Sequence, residues 1–354
     1  MNSAIEPKQT SQTHLSRLKI AGVVLTLFGI GLFVYLVYAI GIHEIVDGIE
    51  RFGFLGFAVI LTNYFVRICA RAFAWKLSVH EPYELGMKDT VPAVVIGEAL
   101  SSTIPLGLLI SGTSKAIAVR KQIPLVAGLS SVATENLFYS FVTGLFLILG
   151  AAVLLVEFAV DSSVGFTLYV LIAVLSFLVV LGVTMVIRQW HFASWLCEWV
   201  YRRGFLTRLL ENGRHEVRRF EDLIYGFYRR HPHRFTPICL LQVAYHLLGI
   251  AEVWIILNRI SNTMPSFTTS FLLESVSRLV TILFKLIPFV IGVDEAGAQF
   301  VGQAVALAAG LGVTLAIIRK GRILFWTAIG WILIAKRGLR FAELTHAETA
   351  SSTN

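Results

Sequence analysis

Charged side chains lie inside two otherwise apolar stretches of this sequence, residues 94–116 and residues 271–296. The first contains Glu98 and Lys115, and the second contains Glu274, Arg278, Lys285, Asp294 and Glu295. An ionised side chain at the centre of a bilayer costs at least about 2.5 kcal/mol on insertion scales, so charges at membrane depth indicate a functional site. A guanidinium pairs with two phosphate oxygens at once, which makes Arg278 a candidate for binding a phosphate.

Structural interpretations of the same charges stay open. Glu98 and Lys115 could bind a lipid headgroup, or they could form an ion pair that stabilises the segment. Arg278 could bridge to Glu274, because residues four apart share one face of a helix. Glu295 stands where a helix is expected to begin, so its carboxylate could stabilise the N-terminal dipole instead of binding a proton or an amine.

Other polar residues in apolar stretches have weaker patterns. Glu135 precedes a long apolar run and is a candidate binding residue. Lys285 could bind a headgroup, or its side chain could extend to the membrane surface. We expect His246 to be a hydrogen-bonded packing residue. Arg67 and Arg71 share a helix face near the end of a span, a pattern typical of interfacial anchors.

Prolines and glycines interrupt both charged stretches. The predicted breakers are Pro105 and Gly112 in the first stretch, and Pro288 and Gly292 in the second. Proline removes a backbone N–H donor, and glycine permits a sharp turn. A broken helix leaves backbone groups unpaired, which lipid tolerates only where protein or a wet cavity surrounds them. We therefore predict two re-entrant or broken helices that face an internal cavity.

The composition predicts an all-α, polytopic transmembrane helix bundle. Of the 354 residues, 56% are hydrophobic and 15% are charged, whereas soluble proteins carry about 25% charged residues. Residues 20–42 and 164–187 contain no charge, and about 20 apolar residues span a bilayer as a helix. Barrel strands would instead alternate polar and apolar residues.

The chain divides into three predicted parts. Residues 1–19 form a cytoplasmic N-terminal tail, residues 20–336 a single transmembrane domain, and residues 337–354 a disordered tail. Basic residues concentrate on the cytoplasmic side of membrane proteins, which places the protein in the cytoplasmic membrane with its N-terminus inside. Within the domain, the arginine-rich residues 188–234 predict a cytoplasmic amphipathic helix on the inner leaflet; a solvated linker is the alternative.

The order of the predicted spans indicates an internal repeat. The spans are residues 20–42, 54–75, 123–156, 164–187, 235–256 and 296–318, with a short final segment at 323–335. Each interrupted stretch lies between an incoming and an outgoing span, and the two enter from opposite sides. Paired interruptions in corresponding halves are typical of inverted-repeat transporters.

The sequence offers few groups for other chemistry. Three scattered cysteines exclude a disulfide framework. We find no zinc-binding pair, phosphate loop or nucleophile motif, so we expect neither metal nor cofactor and no enzymatic activity. The net charge of +8 is better explained by loops facing anionic lipid than by nucleic acid.

Several motifs of the chain form a pattern that spans both halves. In the second half these are Glu274-x3-Arg278, Pro288 and "GVDEAGAQF". In the first half they are "PLGLLISGTSKA", which ends near Lys115, and "TENLFYS", which contains Glu135. Over most of residues 20–335 the pattern resembles the family of the lysylphosphatidylglycerol synthase transmembrane region, also called the flippase-like domain. The resemblance implies the lipid-translocating region without the soluble synthase domain.

These observations together lead to a functional hypothesis. We expect a lipid translocase, or a lipid-binding transporter, that moves a polar-headgroup lipid across or within the cytoplasmic membrane. The expected binding residues are Glu98, Lys115, Glu135, Glu274, Arg278, Lys285 and Glu295. The expected partners are membrane lipids with anionic or otherwise charged headgroups, and a lipid-synthesis enzyme could be another partner. The alternatives are a membrane-embedded enzyme that modifies a headgroup and an accessory scaffold of a lipid-synthesis complex.

Overall fold

The described part of the chain is helical and contains no strand. The computed structural model describes residues 9–104, 107–158, 161–203, 207–285, 287–308, 310–337 and 339. The helices of the first half are α1 (Gln9–Ile40), α2 (Ile42–Leu77), α3 (Met87–Thr103), α4 (Gly107–Ala118), α5 (Leu125–Glu157) and α6 (Ser162–Arg188). Those that follow are α7 (Phe192–Arg202), α8 (Thr207–Arg230), α9 (Phe235–Ile260), α10 (Phe267–Leu283), α11 (Val293–Ala304) and α12 (Leu311–Lys336). The predicted all-α class is confirmed.

Within the described residues, four helical segments are long and apolar enough to cross a membrane. They are α2, α5, α6 and the segment Pro232–Ile260, which contains α9. The apolar part of α1, Val24–Ile40, is shorter. None of the residues in the most apolar window of α6 is fully buried inside the protein, so α6 packs against α5 on one side and leaves much of its apolar surface exposed. These features are those of a multi-pass membrane protein.

Two ends of the bundle can be distinguished by their contacts. At the α1–α2 end, Arg51 donates to Asn262 of the α9–α10 connection (3.4 Å). At the α2–α3 end, Arg234 before α9 donates to the backbone of Val79 (3.2 Å). Gln122, between α4 and α5, reaches Asp89 near the start of α3 at this same end (3.4 Å). Consecutive long helices therefore alternate in direction between the two ends.

Two pairs of short helices stand between the long ones. In the first pair α3 has 17 residues and α4 has 12, and in the second α10 has 17 and α11 has 12. The first pair begins and ends at the α2–α3 end, and the second at the α1–α2 end. Helix α3 contacts the 3-10 turn Pro288–Val290 of the second pair. Equal lengths and opposite entry are what an inverted repeat predicts.

The predicted breakers have different outcomes. Pro288 opens the turn between α10 and α11, and Gly292 precedes α11 with a φ of +82°. The first stretch breaks between Thr103 and Gly107, and Pro105 lies outside the described residues. Gly112 does not break a helix, because it lies within α4. The change of direction is completed before Gly112, which leaves that glycine in an ordinary helical turn.

The predicted span at residues 296–318 is wrong. Helix α11 ends at Ala304, and the backbone reverses through Ala306 (φ +54°) and Gly310 (φ +83°). Helix α12 then runs for 26 residues, in place of the short final segment predicted at 323–335. The charges Arg319, Lys320 and Arg322 looked like a loop in the sequence. They lie inside α12 because carboxylates of neighbouring helices neutralise them.

Two of the four apolar clusters formed by the described residues lie on either side of the polar side chains. The cluster near the α1–α2 end includes Phe52, Ile60 and Leu273. The cluster near the α2–α3 end includes Ile68 and Trp75. Ile60 and Ile68 lie on the same helix, on either side of a buried arginine. The polar centre of the molecule therefore lies between two dry layers.

Gly292 offers a test of the second break. An added Cβ would overlap the Gly29 carbonyl oxygen of α1, and its φ is left-handed. Gly41 is the matched control, with a φ of +95° and nothing within 4 Å of an added Cβ. A left-handed conformation costs a non-glycine residue roughly 1–2 kcal/mol. We expect Gly41→Ala to lose about that much stability and Gly292→Ala clearly more, measured by thermal unfolding in detergent. Equal losses would contradict the close contact of α1 with the break.

Candidate functional site

Glu274 is the most heavily engaged carboxylate of the polar centre. Its Oε1 accepts from Arg278 of the same helix (2.8 Å) and from Arg67 of α2 (3.3 Å). Its Oε2 accepts from Arg319 of α12 (2.5 Å). The side chain is fully buried. The predicted bridge between Glu274 and Arg278 is confirmed, but it is one of three, so Glu274 joins α2, α10 and α12.

Glu252 of α9 is a second buried carboxylate shared by arginines. Its Oε2 accepts from Arg67 (3.1 Å). Its Oε1 is within ion-pair distance of Arg319 (3.3 Å) and Arg322 (3.1 Å). The expectation that Arg67 is an interfacial anchor is wrong, since its side chain is 1% exposed. Burial is possible because two carboxylates neutralise this guanidinium.

Glycine and tyrosine complete the surroundings of these arginines. A Cβ on Gly249 would overlap the Glu274 carboxylate, so only glycine leaves room for it there. Arg67 lies 4.3 Å above the ring of Tyr245, and Arg322 lies 3.9 Å above the ring of Tyr64. The negative ring faces stabilise the guanidinium groups where water is absent.

A second polar group surrounds Glu135 of α5. Its Oε1 accepts from Arg71 (3.2 Å) and from Gln242 (3.0 Å), and Lys115 lies 3.9 Å from its Oε2. Arg71 also donates to Asn136 (3.2 Å). The side chains of Glu135 and Lys115 are 1% and 2% exposed. Arg71 therefore holds an internal carboxylate and is not an interfacial anchor.

Glu98 pairs with groups other than those expected. It accepts from the Tyr64 hydroxyl (2.8 Å) and lies 3.9 Å from Arg71. The alternative of an ion pair between Glu98 and Lys115 does not form. Lys115 lies within ion-pair distance of Glu135 instead, and Glu98 lies within ion-pair distance of Arg71. Glu98 is 17% exposed in its side chain, which leaves it more accessible than the other carboxylates of the centre.

Glu295 and Asp294 have structural partners at the start of α11. Glu295 Oε2 accepts from the Gly292 N–H (2.8 Å), which caps the helix. Its Oε1 forms an ion pair with Lys320 of α12 (2.6 Å). Asp294 accepts from Ser277 (2.7 Å). Both oxygens of Glu295 are thus engaged inside the protein, and neither is free to bind a ligand in this state.

Three basic side chains of the centre are less completely neutralised. The side chains of Arg71 and Arg278 are 15% and 13% exposed, and the buried Nε of Arg278 has no hydrogen-bond partner in the described chain. Lys285 is half-buried and forms no ion pair with another described residue. It lies close enough to Arg71 and Arg278 for their charges to act on it.

A cavity of about 820 Å³ opens beside Arg71, which lines it. Its polar end is formed by Arg71, Asn136, Tyr139, Ser140 and Thr143. Its walls are mainly apolar and come from α5, α6, α8 and α10, including Leu147, Leu175, Val217, Phe220 and Ile282. The cavity has the amphipathic character of a lipid, with a hydrogen-bonding end and hydrocarbon-like walls.

Helix α8 covers the cavity at the α2–α3 end. Phe227 of α8 is buried beside Phe138 and Ile238, and the Leu223 carbonyl is bonded to the His80 ring (2.7 Å). Burial lowers the pKa of His80 below its ordinary value, so the neutral ring can donate to that carbonyl. The apolar side of α8 thus contacts the protein, while the expected position of this helix on the inner leaflet stays a prediction.

Sequence reasoning missed half of the polar centre. It gave Arg67 and Arg71 an interfacial position, and it gave no role to Glu252, Arg319 and Arg322. Their spacing carried a usable signal, because Arg67 and Arg71 are four residues apart and Arg319 and Arg322 three apart, on one helix face each. The packing role expected for His246 is confirmed by its bond to Thr143 (3.0 Å) and its stacking on Phe146.

Removing Glu252 tests whether the network stabilises the fold. Glu252→Ala leaves parts of three buried arginines uncompensated, and removing one partner of a buried ion pair costs about 3–5 kcal/mol. The control is Glu198→Ala, which removes an exposed bridge to Arg202 that is worth about 0.3–0.5 kcal/mol. Thermal unfolding in detergent should show a large loss for the first and almost none for the second. Similar losses would show that the buried pairs contribute little.

Comparison with known proteins assigns the chain to a family. The family described as "Lysylphosphatidylglycerol synthase TM region" matches residues 19–330. Neither a curated protein nor a solved structure gives a significant match. The match includes the long spans, both pairs of short helices and α12 as far as residue 330. The chain therefore belongs to the lysylphosphatidylglycerol synthase transmembrane-region family.

Proposed function

We propose that this protein binds a charged-headgroup lipid in the cavity beside Arg71 and translocates it across the cytoplasmic membrane. The observation that carries the proposal is the cavity itself, which combines a polar end with apolar walls in a membrane protein. A headgroup needs partners that replace its water, and acyl chains need an apolar path. The family supports a role in lipid handling.

The charge balance of the centre favours an anionic group. Among the described residues, eight basic side chains face six carboxylates, an excess of two positive charges. The basic residues are Arg67, Arg71, Lys115, Arg278, Lys285, Arg319, Lys320 and Arg322, and the acidic ones are Glu98, Glu135, Glu252, Glu274, Asp294 and Glu295. The excess lies where Arg71, Arg278 and Lys285 are partly exposed. A phosphate there would restore neutrality and accept hydrogen bonds from the guanidinium groups.

In this proposal the two pairs of short helices, α3–α4 and α10–α11, are the parts of the protein that change conformation. They enter from opposite ends, and α3 contacts the turn that precedes α11. We interpret both pairs as re-entrant segments that rearrange to open the headgroup site to either leaflet. In inverted-repeat transporters one half moves against the other around a fixed central site. The α2–α3 end, which carries the arginine-rich α8, faces the cytoplasm in this interpretation.

A transport role is favoured over headgroup chemistry. The polar centre consists of arginines, lysines and carboxylates that hold one another in ion pairs, and translocation requires no covalent step. Lipids extracted after an assay should therefore be unchanged in mass and altered only in leaflet distribution. A new lipid species formed by the purified protein would favour the alternative of a membrane-embedded enzyme.

Lys285 offers the sharpest binding test, because it supports no internal ion pair with another described residue. We expect Lys285→Gln to weaken binding of phosphatidylglycerol by about tenfold or more, as a charge-assisted hydrogen bond is worth about 1.5–3 kcal/mol. The melting temperature should be unchanged. The matched control is Lys76→Gln on exposed α2 surface. Binding would be measured by native mass spectrometry in detergent, and equal affinities for both variants would exclude Lys285 from the site.

Blocking the cavity tests translocation without removing any charge. Ala133 lines the cavity on α5, whereas Leu149 on the same helix is exposed to the outside. In proteoliposomes with fluorescent phosphatidylglycerol, we expect Ala133→Trp to reduce transfer between leaflets to the protein-free rate. Leu149→Trp should transfer at the wild-type rate. Wild-type transfer by folded Ala133→Trp protein would place the lipid path elsewhere.

A further inference from the structure

Helix α7 carries an apolar stripe on its outer surface. Phe192, Trp195, Leu196 and Trp199 are all exposed and are spaced at three or four residues, so they form one continuous face of the helix. Trp190, just before the helix, extends the same surface. Large exposed apolar patches mark contact sites with lipid or protein. Within the described chain these four residues remain 41–60% exposed, so the stripe requires an occupant.

The opposite face of α7 is fixed to α8. Glu221 of α8 accepts from the backbone N–H groups of Ala193 (2.9 Å) and Ser194 (3.1 Å) and from the Ser194 hydroxyl. These bonds satisfy N–H groups at the first turn of α7, where the helix dipole also favours a carboxylate. Tyr225 of α8 donates to the Trp190 carbonyl (2.6 Å). The helix therefore cannot turn its stripe inward without breaking these contacts.

The chain keeps the stripe close to the membrane. Helix α6 spans with none of its apolar window buried, and it ends at Arg188. Only three residues separate its end from Phe192 at the start of α7. Three residues extend at most about 10–11 Å. The exposed side chains of α7 thus begin close to the end of the outward-facing helix α6, which is the reason to favour lipid over another protein.

The chemistry of α7 fits the boundary between headgroups and acyl chains. Tryptophan is enriched there because its ring is apolar and its N–H is polar. Basic groups flank the stripe, with Arg188 before it and Arg202 and Arg203 after it, all exposed. Arg203 lies 4.2 Å above the ring of Trp199. Each basic residue near an anionic surface contributes about 1 kcal/mol.

We propose that α7 is an in-plane membrane helix that inserts Phe192, Trp195, Leu196 and Trp199 into the bilayer interface beside α6. Helix α8, fixed to its inner face, is thereby held over the lipid cavity while its polar face stays in water. The occupant of the stripe is an anionic lipid surface. This inference does not depend on which lipid the cavity binds, or on whether lipid is translocated.

Spin labelling in vesicles tests this placement. The three cysteines Cys69, Cys197 and Cys239 are replaced by serine, and one label is attached after Trp195→Cys. The comparison labels are Phe177→Cys on the outer face of α6 and Arg219→Cys on the exposed face of α8. The vesicles contain phosphatidylcholine and phosphatidylglycerol. Collisions with oxygen report lipid, and collisions with a nickel chelate report water.

The expected result is that the label at position 195 resembles the label at 177, with oxygen collisions exceeding nickel collisions. The label at 219 should show the opposite ratio. A label at 195 that resembles the one at 219 would overturn the proposal, because the stripe would face water. Protection of position 195 from both reagents would also overturn it, because a second copy or another protein would cover the stripe. Phe192→Cys provides the same reading if the Trp195→Cys chain does not fold.

Discussion

Neutralisation of buried arginines by Glu252 and Glu274 is the interaction on which the rest of this structure depends. Four helices, α2, α9, α10 and α12, meet through these two carboxylates. Without them, Arg67 and Arg319 could not leave water, and α12 could not carry charge through the middle of the molecule. The apolar clusters on either side pack around a centre whose geometry is fixed by ion pairs. Glu252 and Glu274 therefore stabilise the fold, and Glu274 does so although it also belongs to a motif of the family.

The same logic separates structural from available charges. Glu295 caps α11 and forms an ion pair with Lys320, so both oxygens of its carboxylate have partners inside the protein. Arg71 and Arg278 also hold carboxylates, but they keep partial exposure and share those carboxylates with other cations. Lys285 is neutralised least of the three, because it has no ion-pair partner in the described chain. The network runs short of negative charge around Arg71, Arg278 and Lys285, and Arg71 lines the cavity.

The sequence was sufficient for the class and the family, and for the positions of both interruptions. Long charge-free runs and a charge-bearing stretch broken at Pro288 and Gly292 are local signals. It was insufficient for α12, because "RKGR" has the composition of a loop, and the carboxylates that neutralise it inside the helix, Glu252, Glu274 and Glu295, are distant in sequence. The pairing of Lys115 with Glu135 was hidden for the same reason. Local patterns reveal which residues are charged, whereas partners depend on helices that meet only after folding.

Helices α7 and α8 show why an amphipathic pattern does not identify its own partner. Both have an apolar and a polar face, and the pattern alone does not reveal what covers the apolar one. Helix α8 buries Phe227 against the bundle and lines the cavity with Val217 and Phe220. Glu221 then orients α7 so that its tryptophans point away from the protein. A buried glutamate of α8 thus determines which face of α7 stays exposed.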